Sequence, residues 1–111
     1  MNKKIIFTFF FIIVTLLINR SYSQENSSEF VVVLDAGHGG QDSGNTGNGF
    51  LEKKIALQTA IQIGNYIKNN SNIKVIYTRT KDRFVKLSER AAIANRSDAD
   101  LFISIHCDAF I

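Results

Sequence analysis

Phe30-Val31-Val32-Val33-Leu34 constrains this chain more than any other stretch, because no polar residue interrupts it. A strand with one wet face alternates apolar and polar residues. An unbroken β-branched run belongs to a strand covered on both faces, as in the parallel sheets of α/β domains. Lys74-Val75-Ile76-Tyr77-Thr78 and Leu101-Phe102-Ile103-Ser104-Ile105 read as two further strands. Helical patterns separate them. From about Glu52 to Asn69, Ala56, Ala60, Ile63 and Ile67 recur at helical spacing and form a buried stripe. Leu87 to Asn95 reads as a shorter helix with Ala91 and Ala94 inward. This alternation predicts an α/β fold: an open, mainly parallel sheet with flanking helices. Three strands are few for such a sheet, and the last would present an unpaired apolar edge. The expectation is therefore that residues 30–111 are the N-terminal part of a larger domain, truncated after the third strand. A small complete domain is the alternative.

The N-terminus reads separately. Lys3 and Lys4 precede an apolar run from Ile5 to Ile18, broken only by Thr8 and Thr15, and Ser21-Tyr22-Ser23 supplies small residues after it. This is the pattern of a secretory signal peptide over residues 1–23, cleaved after about Ser23, with 24–29 as a polar linker. The run is shorter than the roughly 20 residues of a spanning helix. An uncleaved anchor is the competing reading; after cleavage no stable membrane anchor is expected. The targeting segment also accounts for the charge. The chain has 13 basic and 10 acidic residues, and Lys3, Lys4 and Arg20 leave with the signal, so the remainder is balanced at 10 of each. That balance gives no ground for expecting a nucleic-acid partner.

The chain's two histidines both follow strands. His38 lies in Asp35-Ala36-Gly37-His38-Gly39-Gly40 after the first, and His106 in His106-Cys107-Asp108 after the third. In open α/β sheets, sites form beyond the carboxyl ends of the strands. Glu52, at the mouth of the first helix of that sheet, faces the same rim. Two histidines and a carboxylate make the three protein ligands of a catalytic zinc, which keeps its fourth position open. Each also has a plain structural reading: His38 as a loop histidine, His106 as a core histidine, Glu52 as a carboxylate favoured at a helix start. Asp35 is a candidate to hold the ring of His38 from outside the ligand set, or else a strand-end turn residue. Cys107, the single cysteine, has no internal disulfide partner and reads as a small buried hydrophobe, since adjacent strand-end residues point to opposite sides. Six of the seven glycines fall between Gly37 and Gly49 and predict a flexible loop. That loop lacks the Gly-Lys-Ser/Thr ending of a P-loop, the third glycine of a dinucleotide fingerprint, and the terminal glutamate of a calcium loop.

Taken in order, Leu34-Asp35-Ala36-Gly37-His38-Gly39-Gly40, Glu52-Lys53, Thr78-Arg79 with Asp82, Leu87 and Arg90, Ala94-Asn95, and Ala99 to Ala109 resemble the zinc-dependent N-acetylmuramoyl-L-alanine amidases. The resemblance covers almost all of Phe30 to Ala109. It implies the fold of the amidase/phosphorylase-hydrolase type, zinc (Zn2+) held at the positions of His38, Glu52 and His106, and peptidoglycan as substrate. The bond cut would be the amide between N-acetylmuramic acid and the L-alanine of the stem peptide, by an exported protein of the periplasm or the exterior. The family's catalytic glutamate lies in a later strand region, and no residue of this chain corresponds to it. It is expected beyond Ile111, the last residue of the sequence. Asp42 and Asp108 are nearby carboxylates, but nothing marks either as a replacement base. The fragment's own activity is therefore open. A non-catalytic peptidoglycan-binding remnant and a related zinc carboxypeptidase are the alternative functions.

Overall fold

The computed structural model of the protein describes residues 2–21 and 29–107. The expected cleavage point after Ser23, the linker up to residue 28, and the stretch from Asp108 to Ile111 lie outside them. The expectation of a catalytic glutamate beyond Ile111 therefore falls outside the described residues as well. Helix α1 spans Lys3–Ser21 and contains no glycine or proline to break it. Ile5, Ile6, Phe10 and Phe11 on it are exposed. Among the described residues, no helix is long and apolar enough to cross a membrane.

The remaining elements are β1 (Val31–Ala36), β2 (Thr46–Gly47), β3 (Phe50–Leu51), α2 (Glu52–Asn70), β4 (Lys74–Tyr77), α3 (Leu87–Arg96) and β5 (Leu101–Ile105). Strands β4, β1 and β5 form a parallel sheet in that spatial order. The α/β expectation holds. Strand β1 is buried along its whole length because it is central, with a neighbour on either side. Strand β5 lies at the edge and exposes Leu101 and Phe102.

Side chains alternate across the sheet. On one face Val32, Leu34 and Ala36 pack with Ala56 and Ala60 of α2, supported by Ile63, Val75, Ile103 and Ile105. The small alanines let α2 approach β1 closely. Asp35 takes the opposite parity and meets Arg90 of α3. Here the expectation for α3 needs correction: its buried residue is Arg90, whereas Ala91 is exposed and Ala94 only partly covered. The apolar period misleads because these alanines, with Phe84, Leu87 and Phe102, line an open cavity of about 730 Å³. The most deeply seated contact of α3 is instead a guanidinium on a buried carboxylate.

The glycine-rich segment is also more ordered in form than expected. Gly39 and Asp42 exchange backbone hydrogen bonds at 2.9 and 3.2 Å. Asn48 and Gly49, with φ of 49° and 81°, turn a two-residue hairpin between β2 and β3, the geometry that favours Asn-Gly. Leu51 precedes α2 without a side-chain cap. The loop satisfies the helix start instead: Asn45 and Ser43 carbonyls accept from the Glu52 and Lys53 amides at 2.9 and 3.1 Å.

Candidate metal centre

Three candidate ligand atoms from three elements meet at the carboxyl edge of the sheet. His38 comes from the loop after β1, Glu52 is the first residue of α2, and His106 follows β5. His38 Nε2 lies 3.0 Å from Glu52 Oε1, and His106 Nδ1 lies 3.1 Å from the same oxygen. The two ring nitrogens are 3.2 Å apart, with the rings edge to face at 78°. Tetrahedral zinc with bonds of about 2.0–2.2 Å separates neighbouring ligand atoms by roughly 3.3–3.5 Å. The observed triangle is within a few tenths of an ångström of that size, and its nitrogen and carboxylate donors suit the ion. The residues present therefore fit a zinc ion.

Each ligand is built in its own way. Glu52 is 3% exposed. Its Oε1 accepts the Cys107 amide at 2.9 Å and its Oε2 the Asn45 amide at 2.8 Å. Burial works to raise the Glu52 pKa. The two amides, aided by His38 and His106, overcome it and bring the value down to about 2, so the side chain stands ready as an anionic donor. His38 adopts φ of 60°, a left-handed conformation uncommon outside glycine. Its Nδ1 faces Asp42 Oδ2 at 2.9 Å. With Nδ1 donating to that carboxylate, Nε2 keeps its lone pair toward the triangle. The ring of His106 lies against Gly37, where a Cβ would collide with ring atoms. Gly44, at φ of 63°, likewise leaves room for His38 and Glu52.

The three expected ligands thus converge, but the expected helper does not fill its assigned place. Asp35 is not the partner of the His38 ring. Its carboxylate accepts from Thr78 at 2.6 Å, Ser104 at 2.7 Å and Arg90 at 2.6 Å. Residue parity on β1 turns it toward α3, away from the ring. Arg90 then donates to the His38 carbonyl at 2.8 Å, so Asp35 reaches the ligand only through backbone. Asp42 takes the ring itself, which its spacing of four residues from His38 could have suggested. That bond engages the Asp42 carboxylate with the ring of His38. Cys107 is half-buried and enters by its main chain: its amide holds Glu52, and its carbonyl accepts Asn45 Nδ2 at 3.0 Å. Backbone donors of this kind leave no mark in residue type.

The class this defines is a candidate hydrolytic metal centre on the carboxyl edge of an open α/β sheet. The chain belongs to the N-acetylmuramoyl-L-alanine amidase family, whose family model matches residues 32–111. It is 47% identical over 81 residues to the N-acetylmuramoyl-L-alanine amidase AmiC of Escherichia coli O6:H1, a match covering 72% of this chain and 19% of that protein. Among solved structures, the catalytic domain of CwlV from Bacillus (Paenibacillus) polymyxa superposes with a TM-score of 0.69 at 38% identity. That match covers 71% of this chain and 45% of the other. The amidase from Clostridium difficile 630 superposes with a TM-score of 0.71 at 37% identity, over 76% of this chain and 46% of that one. The chain therefore spans less than half the length of these relatives.

Proposed function

We propose that this chain carries the metal-ligating part of a zinc-dependent N-acetylmuramoyl-L-alanine amidase, acting on peptidoglycan in cell-wall turnover. The observation that carries the reading is the ligand triangle of His38, Glu52 and His106, with its edges of 3.0 to 3.2 Å. His38, Glu52 and His106 would hold the ion, which when bound would supply Lewis acidity for a carbonyl oxygen and for water at neutral pH. The protein's own contribution is positional. Asp42 sets the His38 tautomer, and the Asn45 and Cys107 amides hold Glu52 ionised and aimed. The cavity beside the triangle, bounded by Phe84, Leu87, Ala91 and Phe102, leaves the rim open for a substrate amide. Proton transfer to the leaving amine would fall to a carboxylate, which the resemblance places in a later strand region of the family's domain. Residues 1–23 direct export, to the periplasm or beyond, and are removed.

Equilibrium dialysis against zinc tests the ligand set. The parent is expected to bind one equivalent, and equal binding by His38→Ala sinks the assignment. The reaction is tested on purified peptidoglycan. Amide cleavage by the amidase exposes a new amino group on alanine, detectable by end-group labelling. Release of single carboxyl-terminal amino acids would identify a carboxypeptidase instead. For export, the mass of the protein recovered from outside the cytoplasm should begin after residue 23.

A further inference from the structure

Two buried arginines outside the ligand triangle remain without a role. Arg79, following β4, is 1% exposed, and Arg90 in α3 is 6% exposed. Both spend their donors on main-chain oxygens of the loop that carries His38. Ala36 O accepts from Arg79 Nε at 2.9 Å and Arg90 Nη1 at 2.7 Å. Gly37 O accepts from Arg79 Nη2 at 2.8 Å, and His38 O from Arg90 Nη2 at 2.8 Å. Three consecutive carbonyls are thus held by two guanidinium groups. In an extended strand, successive carbonyls point to opposite sides. Here all three are drawn to the arginines, and the chain coils into the left-handed turn at His38.

The same groups reach the other two ligands. Arg79 Nη2 also donates to Lys53 O at 2.8 Å, beside Glu52 in the first turn of α2. Gly37, whose carbonyl Arg79 holds, donates its amide to Ile105 O at 3.0 Å, next to His106. Arg90 anchors the far side through Asp35 and the Val85 carbonyl, at 2.6 and 3.0 Å. We propose that Arg79 and Arg90 are positioning residues of the metal centre, fixing the spacing of His38, Glu52 and His106 through the main chain. This rests on the zinc reading above. A planar fork of fixed donors suits the task, whereas an ammonium offers no matching geometry.

The test compares zinc affinity of the parent, Arg79→Lys, Arg90→Lys and Val75→Ala by competition with a chromophoric chelator. Circular dichroism first establishes a temperature at which the metal-free variants are folded. Val75 lies in β4 on the α2 face, so its truncation lowers stability without touching the loop. Both arginine variants are expected to bind zinc about 10- to 100-fold more weakly, the usual range for groups that orient ligands. Val75→Ala should match the parent. Arginine variants that bind as tightly as Val75→Ala overturn the proposal but leave the zinc reading standing. A parent that binds no zinc overturns both. Should the lysine variants not fold, the unmutated protein decides by nuclear magnetic resonance. Slowly exchanging Arg79 and Arg90 Nε–H signals that shift as zinc is added support the proposal, and signals indifferent to zinc refute it.

Discussion

The two histidine arms of the site are held in opposite ways. His38 follows the central strand, keeps a left-handed backbone, and has partners at both its ring and its carbonyl. Its side chain is 23% exposed, against 42% for His106. His106 follows the edge strand, and its ring is shaped by contact with Gly37 and with the other two ligands. A central strand can pre-organise a ligand through neighbours on both sides. His106 is instead placed by steric fit against Gly37 and by its contacts with His38 and Glu52.

The largest expected effect comes from breaking what the arms share. Asp35 joins β1 to Thr78, to Arg90 of α3 and to Ser104 of β5. Asp35→Asn leaves the Arg90 guanidinium buried without its counter-charge, at a cost of about 3–5 kcal/mol, read by urea unfolding at pH 7. The pH dependence follows. Burial tends to raise the Asp35 pKa, but the hydrogen bonds from Thr78, Ser104 and Arg90 and the charge of Arg90 prevail and lower it. A carboxyl group whose folded pKa lies below its unfolded value stabilises fully above the unfolded value, about 3.9. That contribution is lost as pH falls through the folded value. The parent should therefore lose stability steeply below about pH 4, and the variant should lack this contribution. Equal slopes would remove Asp35 from the account.

Two substitutions separate the arms. Gly37→Ala puts a methyl group where the His106 ring lies. The half-exposed ring can swing outward, so stability should change little while zinc affinity falls beyond about 100-fold, the upper range for an outer partner. Asp42→Ala acts on the other arm by releasing Nδ1 of His38. Zinc affinity should then drop about 10- to 100-fold, less than for Gly37→Ala because the ligand remains in place. The reverse order would mean that steric fit holds His106 less firmly than Asp42 holds His38. Both are read by chelator competition.

The contrast also explains what could be read from residue type. Val31 to Leu34 announce a doubly covered strand because hydrophobic burial is written in side chains, although Phe30 before them is exposed and outside β1, and the strand-terminal histidines announce their rim because topology puts strand ends together. Glu52 was legible from its place at a helix start. The supports were not. Asn45 and Cys107 act through their amides, and Ala36, Gly37 and His38 through their carbonyls, so residue type is silent about them. Asp35 is near enough in sequence to be a candidate for the His38 ring, but strand parity turns it to the other face. Ala91 and Ala94 fit a helical period that ends on an open cavity.

The smallest effect on zinc affinity is expected at the hairpin between β2 and β3. Gly49 has φ of 81°, and a Cβ there would meet nothing within 4 Å. Gly49→Ala is therefore a purely conformational substitution, costing about 1–2 kcal/mol for an L-residue held left-handed. A loss of that size is read as a fall of several degrees in melting temperature. The hairpin adjoins Asn45, whose amide is one of two on Glu52, and the Cys107 amide holds the other oxygen. Zinc affinity should accordingly stay within about threefold of the parent, well short of the loss that follows removal of an orienting partner. A loss comparable to that of Asp42→Ala would show that the hairpin sets Glu52, and the comparison would then involve three arms instead of two.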